Sequence, residues 1–596
     1  MKMKSAFRLL LPVCLLALLC LSAFAAGETV ISDAAALGRL MDDPAAWSGS
    51  YRLGADIDLG SVKQSPIGNY ETPFTGSFDG AGHTISGLNI KADGTAGLFG
   101  VLSGASVTDL TVKGGAVNSF AATDAETKLD EKYSGTGGIA GVALSGTTLK
   151  NCVSRASVKG PCNVGGLVGI IYNYDLFSVS VTNCENYGEI SPALGNAGGL
   201  IGRIQVNSSA TPAVYVGGCV NHADVRSVSE DRNRLAGIAG YVRTEAGVIL
   251  IENCENEGKI TGANSGAKAS NCPFVGGIAG RIEIVTDASS AVRILNCKNT
   301  GAIESSHHAG GIAGYINRSD KALETASEIV GCLNTAAVNG PSHAGGIVGY
   351  SENRCAADVR SAIKNCLNTG AVTSSACAGG IVGRWYGFDI LTCFVAGNVS
   401  ATDLCGAFAG KADGSVFCEI DSVYLDSVAT LAVGESNPLC VELGAKSVGA
   451  AIVGKTDSFP GFDFKTVWTM EKNGPTLTAF AGSKLPQTTT APATEKPDAT
   501  EATETTEATS AESTAATADS AETAESTAET TASTEQTTEA TAESKETAVS
   551  TALTEATAET PETEGGSSTL WIALGIVAVV VIAAVAAVVI IKKKKA

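Results

Sequence analysis

Residues 294–314 read ILNCKNTGAIESSHHAGGIAG and contain both elements from which most of the chain is built. The first element, residues 294–303, alternates aliphatic with polar residues and is interrupted by Asn-Thr-Gly. A two-residue period is typical of a strand with one buried face, and Asn-x-Gly is typical of a turn. The second element, GGIAG from Gly310, is short and has no helical spacing. The stretch therefore predicts short strands joined by tight turns.

The second element recurs along the chain, and this recurrence is typical of a solenoid. Its ten copies are AGLFG at Ala96, GGIAG at Gly137, GGLVG at Gly165, GGLIG at Gly198, AGIAG at Ala236, GGIAG at Gly276 and Gly310, GGIVG at Gly345 and Gly379, and GAFAG at Gly406. Successive copies begin 27 to 41 residues apart, within the range of repeat units that stack on one another. Because a unit of this size cannot bury a core alone, we expect an all-β fold, a parallel right-handed β-solenoid of about ten coils.

The first element recurs at residues 181–190, 251–260 and 363–372, each time with a cysteine at the same place. Eight cysteines follow this spacing: Cys152, Cys184, Cys219, Cys254, Cys297, Cys332, Cys366 and Cys393. In coils stacked about 4.8 Å apart their Cβ vectors would be parallel, which suits the disulfide dihedral angle poorly. We therefore expect a column of buried free thiols. Disulfides between some coils stay open as the alternative, because an extracellular site permits oxidation.

The N-terminus has the features of a secretory signal peptide. Basic residues precede an apolar run at residues 9–21, and Ala23-Phe24-Ala25 supplies the small-x-small pattern of a cleavage site. The mature chain is expected to begin near Ala26.

The C-terminus predicts a membrane anchor. The 22 residues 570–591 are uncharged and mostly apolar, and as a helix they would span about 33 Å, enough for a bilayer. Four lysines follow and are expected to stay cytoplasmic. These features predict a single-pass type I protein of the cell membrane whose large domain is extracellular, on a bacterial cell surface.

An acidic segment of low complexity precedes that anchor. Residues 485–566 hold 18 acids and 2 bases among Thr, Ala and Ser, and such a segment cannot bury enough surface to fold, so we expect a disordered stalk. The whole chain then divides into a signal peptide (1–25), an N-terminal cap (26–50), the solenoid repeats (51–425), a C-terminal cap (426–484), the stalk (485–566), a transmembrane helix (567–591) and a basic tail (592–596).

The GGIAG-type core followed by a strand and Asn-x-Gly resembles the GLUG motif of bacterial cell-surface proteins, which also occurs beside the peptidase domain of some IgA-specific metalloendopeptidases. YRLGADIDLG from Tyr51 and TPFTGSFDGAGHTISGLNI from Thr72 resemble the first coils of such domains, and FDFKTVWTMEKNGPTLTAF from Phe462 resembles their closing segment. The similarity covers about residues 50–480. It implies a β-helical surface domain and no particular activity, because none is common to GLUG proteins.

The chain offers little catalytic chemistry. Its histidines, His83, His222, His307, His308 and His343, form no HExxH zinc motif, and no GxSxG nucleophile elbow is present, so neither catalytic residues nor a cofactor are expected. The 61 acidic residues against 41 basic ones leave no basic face for a phosphate backbone. This balance argues against nucleic acid as a partner.

One group of residues is a candidate metal site. His308, His343 and Cys377 each lie two residues before the Gly-Gly of their repeats, so coils in register would align them near enough to hold one ion. The competing interpretation, which we favour, is a corner position that any small polar residue can occupy, since neighbouring repeats place Asn196 or Phe274 there.

The sequence as a whole favours a non-catalytic adhesin or ligand-binding surface protein, with a glycan or a host surface protein as partner. Loops such as 118–132, 207–212 and 264–272 would form the binding surface. A β-helical carbohydrate-active enzyme and a structural spacer of the cell envelope are the alternatives. An enzyme requires two or three carboxylates that converge on one groove, an adhesin requires an exposed apolar or aromatic patch, and a spacer requires neither.

Overall fold

The structure is a computed structural model that describes residues 27–481, apart from 93, 119–133, 194, 228–232, 263–271, 286–288, 319–323, 355–358, 414–416, 437–439, 442–443, 450–454 and 472–473. The predicted signal peptide, stalk, transmembrane helix and basic tail lie outside these residues, as do most of loops 118–132 and 264–272. Within this described part of the chain, no helix is both long enough and apolar enough to cross a membrane.

Three parallel β-sheets contain nearly all strands of the described residues, which confirms the prediction of an all-β chain with long parallel sheets. Sheet 2 consists of Thr95–Ala96, Gly135–Gly137, Val164–Gly165, Asn196–Gly198, Arg234–Ala236, Phe274–Gly276, His308–Gly310, His343–Gly345, Cys377–Gly379 and Leu404–Gly406. Sheet 3 consists of Phe99–Leu102, Ala140–Leu144, Val168–Asn173, Ile201–Asn207, Ala239–Ala246, Ala279–Ile284, Ala313–Arg318, Val348–Asn353, Val382–Trp385, Ala409–Ala412 and Val433–Glu435.

Sheet 1 is the largest, because each coil contributes up to three strands to it. Its strands are Thr29–Ile31, Ser50–Leu53, Ile57–Asp58, Ser77–Asp79, Thr84–Ala92, Ser106–Thr108, Thr111–Asn118, Thr148–Lys150, Val153–Gly160, Val179–Thr182, Glu185–Asn186, Ile190–Pro192, Val214–Gly217, Val220–Asn221, Val225–Ser227, Val248–Glu252, Glu255–Asn256, Ile260–Gly262, Ala291–Leu295, Lys298–Asn299, Ile303–Ser305, Glu328–Val330, Leu333–Asn334, Val338–Asn339, Ser361–Lys364, Leu367–Asn368, Val372–Ser374, Phe388–Val395, Val399–Ala401, Cys418–Leu425, Cys440–Val441 and Lys446–Val448.

The coils stack residue upon residue. Along the chain, each repeat passes from sheet 2 to sheet 3 and then through sheet 1. In sheet 2, Gly310 is the register partner of both Gly276 and Gly345, and in sheet 1 Ile251 is the partner of Ile294. Both sequence elements therefore occupy the same place in successive coils, as a solenoid requires.

A tight bend between sheets 2 and 3 explains the glycines of the second element. A Cβ atom on Gly345 would lie 1.9 Å from the carbonyl oxygen of Val348, and one on Gly349 would lie 2.5 Å from the carbonyl oxygen of Gly314 in the preceding coil. Both distances are far below van der Waals contact, so the bend requires residues without a Cβ atom. Side chains that flank the bend approach each other outside the coil, as the rings of His343 and Tyr350 do at 5.6 Å.

The asparagine before the cysteine forms a corner of sheet 1. Five such residues have left-handed φ angles between 49° and 53°: Asn151, Asn183, Asn253, Asn296 and Asn365. Asparagine adopts this conformation more readily than most residues, because its short amide forms local hydrogen bonds. After the corner the cysteine points into the coil, and the eight cysteines of the column are 0 to 1% exposed.

A second asparagine, two residues after each of several column cysteines, forms a ladder inside the coils. The Nδ2 of Asn299 donates to the carbonyl of Gly301 at 2.9 Å and to Oδ1 of Asn334 in the next coil at 2.8 Å. The same two bonds are made by Asn186, Asn221, Asn256 and Asn334. These side chains are fully buried, so the asparagine of Asn-x-Gly satisfies polar groups in the interior as well as ending a strand.

Short elements flank the coils at both ends. The helix Ala34–Asp42 places Leu37, Leu40 and Met41 in the main hydrophobic core, and it is followed by the 3-10 helix Pro44–Ala46. Near the C-terminus, the 3-10 helix Thr456–Ser458 precedes an antiparallel hairpin of Trp468–Glu471 and Gly474–Leu477, and Thr478–Phe480 is a final 3-10 turn.

The C-terminal hairpin covers part of the outer face of sheet 1. We call outer row the residues that directly follow the column cysteines, together with Val423, which follows Ser422 at the same place in the next coil. In register, the row comprises Val153, Glu185, Val220, Glu255, Lys298, Leu333, Leu367, Phe394 and Val423. The last four of them, the covered half, form a buried cluster with Phe459, Phe462, Trp468 and Leu477. The first five form the open half.

Candidate functional site

The structure aligns the three residues that the sequence singled out as candidate metal ligands. His308 is the register partner of His343, and His343 that of Cys377, at the first position of three adjacent strands of sheet 2. Phe274 and Arg234 continue this column through the preceding coils. We call these five residues the ring column.

The two histidine rings of the column stack face to face, and this arrangement opposes a shared metal ion. The ring planes are 4° apart with centroids at 4.8 Å, and the two Nδ1 atoms are 2.8 Å apart. An imidazole binds a metal ion in its own plane, so two parallel stacked rings do not converge on one ion. Among the residues that the structure describes, no group of three or more His, Cys, Asp or Glu side chains is placed to hold a metal ion.

A second column in sheet 3 faces the ring column across the tight bend. It consists of the residue after the last glycine in the last seven repeats: Arg203, Tyr241, Arg281, Tyr315, Tyr350, Arg384 and Lys411. Phe274 stacks on Tyr315 with centroids at 4.9 Å, and the guanidinium of Arg281 lies 5.2 Å from the first ring and 5.4 Å from the second. The sequence analysis missed this column, although the Tyr or Arg after several GGIxG copies was a usable signal.

The polar groups of the second column bond within the protein. The Tyr315 hydroxyl donates to Oε2 of Glu352 at 2.5 Å, and the Tyr241 hydroxyl donates to Glu283. The pKa of Glu283 is lowered against the effect of its burial, because Arg281 favours the charged carboxylate. Burial lowers the pKa of His308 to about 3 and that of His343 to about 4, which keeps both rings neutral at neutral pH. The contacts between the two columns therefore stabilise the bend between sheets 2 and 3. The side chains of the two columns are poorly suited to act as catalytic groups.

A histidine between two glutamates on the open surface is the group that most resembles an acid–base pair. Nδ1 of His222 lies 2.6 Å from Oε2 of Glu257, and its Nε2 lies 3.8 Å from Oε2 of Glu185. The nearby imidazole of His222 lowers the pKa of Glu185, and the two glutamates raise the pKa of His222 against the effect of burial. A glycosidase needs one carboxyl group with a raised pKa, so this arrangement fits an ion-pair cluster better than a catalytic one.

The cysteine column consists of free thiols that are shielded from solvent. All cysteines that the structure describes are free, and the eight column members are buried, which confirms the prediction for this part of the chain.

Loop 174–178, between Val168–Asn173 and Val179–Thr182, presents apolar side chains to solvent. Leu176 and Phe177 are each 71% exposed and Tyr174 is 51% exposed. Exposed apolar side chains that lie together mark interaction sites more often than isolated ones do. Loop 174–178 is not among the predicted binding loops 118–132, 207–212 and 264–272, although its Tyr, Leu and Phe in one short segment were a usable signal.

Neighbouring coils hold the backbone of this loop in place. On one side Gly146 donates its N–H to the carbonyl of Phe177 at 3.1 Å, and Tyr174 donates its N–H to Oγ of Ser145 at 3.1 Å. On the other side Oγ of Ser178 donates to the carbonyl of Pro212 at 2.7 Å. The predicted binding loop 207–212 therefore bonds to loop 174–178, which is hydrogen-bonded to the coils on both sides.

Comparison with known proteins gives limited similarity. No protein-family model matches the chain. Over an alignment of 157 positions that covers 23% of this chain, it is 35% identical to halomucin of Haloquadratum walsbyi, and the alignment spans only 2% of the length of that protein. Among solved structures, a Bacteroides ovatus protein provisionally named an immunoglobulin A1 protease is 17% identical, with 76% of this chain and 93% of that chain covered and a TM-score of 0.25.

Proposed function

We propose that this chain is a non-catalytic cell-surface protein of the GLUG-repeat kind that binds a glycan or a host surface protein through the loops of a right-handed solenoid. The Thr-rich stalk and the C-terminal transmembrane helix of the sequence would hold the solenoid away from the membrane. Similarity of one segment to halomucin supports a place at the cell surface.

Loop 174–178 is the observation that carries the proposal. Binding gains most from apolar and aromatic side chains that are exposed before association and fixed in their bound conformation, because less entropy is then lost. Leu176 and Phe177 are exposed, and the loop that carries them is hydrogen-bonded to both neighbouring coils, through the Phe177 carbonyl on one side and the Asp175 carbonyl and Ser178 hydroxyl on the other.

The electrostatics of the described carboxyl groups also support binding over catalysis. The resolved pKa shifts of carboxyl groups, at Asp56, Glu185, Glu283 and Asp463, are all downward. A general acid at neutral pH needs the opposite shift. A loop that displays apolar groups needs no such shift.

A binding array tests the proposal. Residues 26–484 would be applied to arrays of glycans and host surface proteins, in parent form and as a Leu176→Ser/Phe177→Ser double variant. We expect the double variant to lose at least about tenfold in affinity for the ligand that the parent binds, a loss of about 1.4 kcal/mol. The matched control is Leu431→Ser, which removes an apolar side chain that is 52% exposed elsewhere on the molecule.

Three results would contradict the proposal. They are an absence of ligand for the parent, equal binding by the parent and the double variant, and glycan turnover that disappears when a single Asp or Glu is replaced. The third result would favour the alternative that this chain is a carbohydrate-active enzyme.

A further inference from the structure

Six polar side chains form a column on the outer face of sheet 3, one on each of six consecutive coils. Each is the register partner of the next, and all but the first lie two residues after a member of the second column. We call them the third column: Tyr172, Gln205, Arg243, Glu283, Asn317 and Glu352. All six end in a phenol, amide, guanidinium or carboxylate group, so every coil presents a planar group that forms hydrogen bonds.

Contacts with neighbouring side chains hold the third column in place. Arg243 pairs with Glu283 at 2.8 Å, and Glu352 accepts the Tyr315 hydroxyl at 2.5 Å and pairs with Arg354. Side chains that are already fixed lose little entropy when a ligand binds. An ionised carboxylate has about four acceptor sites, so Glu352 keeps acceptor capacity for a ligand.

Asn317 is the member of the column with an unsatisfied group. It lies between Glu283 and Glu352, and its Oδ1 atom is buried without a hydrogen-bond partner among the described residues. An unbonded polar atom that is shielded from water costs free energy, and a ligand that supplies the missing bond removes that cost. The side chain as a whole is partly exposed, so rotation of its amide turns Oδ1 toward a ligand outside the coil.

The chemistry of this face favours a neutral sugar over an anion or a protein. Arg243 and Arg281 both pair with Glu283, so their charges are matched and attract an anion weakly. The third column also lacks the apolar core that protein interfaces bury. Neighbouring hydroxyls on a sugar ring match planar amide, carboxylate and guanidinium groups, because each of these groups forms two hydrogen bonds at once.

The length of a sugar unit matches the spacing of the coils. Stacked strands are about 4.8 Å apart, and an equatorially linked hexopyranose unit in an extended chain has nearly the same length. A linear glycan that runs along the stack therefore presents one unit to each member of the third column.

Tyr172 connects the third column to loop 174–178. Its ring centroid lies 5.5 Å from that of Tyr174, whose side chain is 51% exposed. Aromatic rings offer apolar surface to the C–H groups of a sugar, beside the hydrogen bonds of the column. One end of a glycan on the third column would therefore lie against the loop.

We propose that the third column binds a neutral, linear glycan of equatorially linked hexopyranose units, one unit per coil, with one end against loop 174–178. This inference rests on the proposed function and selects the glycan from its two kinds of ligand. Asn317 bonds to the hydroxyls of one unit, and the neighbouring carboxylates and Arg243 bond to the units on either side.

Defined oligosaccharides test the proposal. The full chain in detergent would be titrated calorimetrically with the β-linked disaccharides and hexaoses of glucose, mannose and N-acetylglucosamine. We expect at least one hexaose to bind at least about tenfold more tightly than its disaccharide, because it contacts more coils. Maltohexaose, which is axially linked and curved, and hexagalacturonate, which is anionic, should bind more weakly than that hexaose.

Substitution of Asn317 tests the position of the site. Asn317→Ala should weaken binding of the hexaose about three- to tenfold, the contribution of one or two hydrogen bonds. Its unfolding should match that of the parent, since the amide oxygen has no partner in the protein. If this variant does not fold, Asn317→Leu conserves the volume and has the same expected loss of affinity. The matched control is Asn339→Ala, which removes an exposed amide from sheet 1 and should bind as the parent does.

The outcomes separate this inference from the proposed function. If no hexaose binds but a host surface protein binds through loop 174–178, the third column is not a glycan site and the proposed function stands. Equal binding of the hexaose by the parent and the Asn317 variants, or tighter binding of hexagalacturonate, also overturns the inference alone. If neither a glycan nor a host surface protein binds, both proposals are wrong.

Discussion

The open and covered halves of the outer row occupy equivalent backbone positions and carry opposite chemistry. In the open half, Glu255 forms an ion pair with Lys298 at 2.7 Å. In the covered half, Leu333 and Leu367 lie under the C-terminal hairpin and its Trp468. The repeat fixes the direction in which these side chains point, and the segment that lies over them decides whether they are charged or apolar.

The interior of the coils is alike beneath most of both halves. Cysteine occupies the same inward position from Cys152 to Cys393, and asparagine occupies the ladder position from Asn186 to Asn368. Ser154, Val395 and Ser422 take these places in the end coils. The contrast between the halves is therefore sharpest on the outer face.

The largest effect is expected from placing a lysine in the covered half. Leu367→Lys buries an ammonium group without a partner among Phe459, Phe462 and Trp468, and we expect a loss of about 4 kcal/mol or more in the free energy of unfolding. The matched control is Val220→Lys in the open half, where Glu185 and Glu255 flank the new charge and the change should stay within about 1 kcal/mol. Denaturant unfolding of both variants measures the difference, and equal losses would refute it.

A smaller and equal effect is expected inside the two halves. Asn221→Ala and Asn334→Ala each remove an amide from the ladder and leave the partner groups on both sides unsatisfied, at a cost of about 2 to 3 kcal/mol. Unfolding free energies of the two variants should agree within about 0.5 kcal/mol. A clear difference would show that the hairpin also changes the interior.

The pH dependence that arises from His222 is expected to be smaller still. Its pKa is raised by Glu185 and Glu257, so the folded chain binds the proton more tightly than the unfolded chain does. The stabilisation is complete below the unfolded pKa of about 6.5 and is lost as the pH rises through the folded pKa. Between pH 5.5 and 8 the free energy of unfolding should change less in the His222→Gln variant than in the parent, by under about 1 kcal/mol. If the His222→Gln variant has the same pH profile as the parent, the pH dependence does not arise from His222.

Thiol reactivity tests the interior without altering it. Few thiols should react in the native chain, with the partly exposed Cys272 and Cys405 among the first, and many should react after denaturation without a reductant. If the denatured, unreduced chain shows only one or two reactive thiols, the cysteines of the column are joined by disulfides and the prediction of buried free thiols is wrong.

The parallel coils and the cysteine column could be predicted from the sequence, because both follow from residues that recur at a fixed place. The packing of the C-terminal hairpin over Leu333 and Leu367 could not be predicted in this way. Periodicity shows that a position repeats, but it does not show which distant segment packs on that position. The change from Lys298 to Leu333 at one repeat position was nevertheless a readable signal. The stacking of Phe274 on Tyr315 depends on the glycine bend, which brings two outward-facing columns together, and neither column alone predicts the other.

The turn from sheet 3 to sheet 1 has a consequence for how such a chain can evolve. In one coil Gly247 alone separates the strands Ala239–Ala246 and Val248–Glu252, whereas the coil of Phe177 uses residues 174–178. The strands beside these turns keep their register apart from one shift between Val206 and Asn207, and doubling the length of a flexible loop costs only about 0.6 kcal/mol. New binding segments can therefore be inserted, lengthened or exchanged at this corner one coil at a time, while selection for folding acts on the sheets alone.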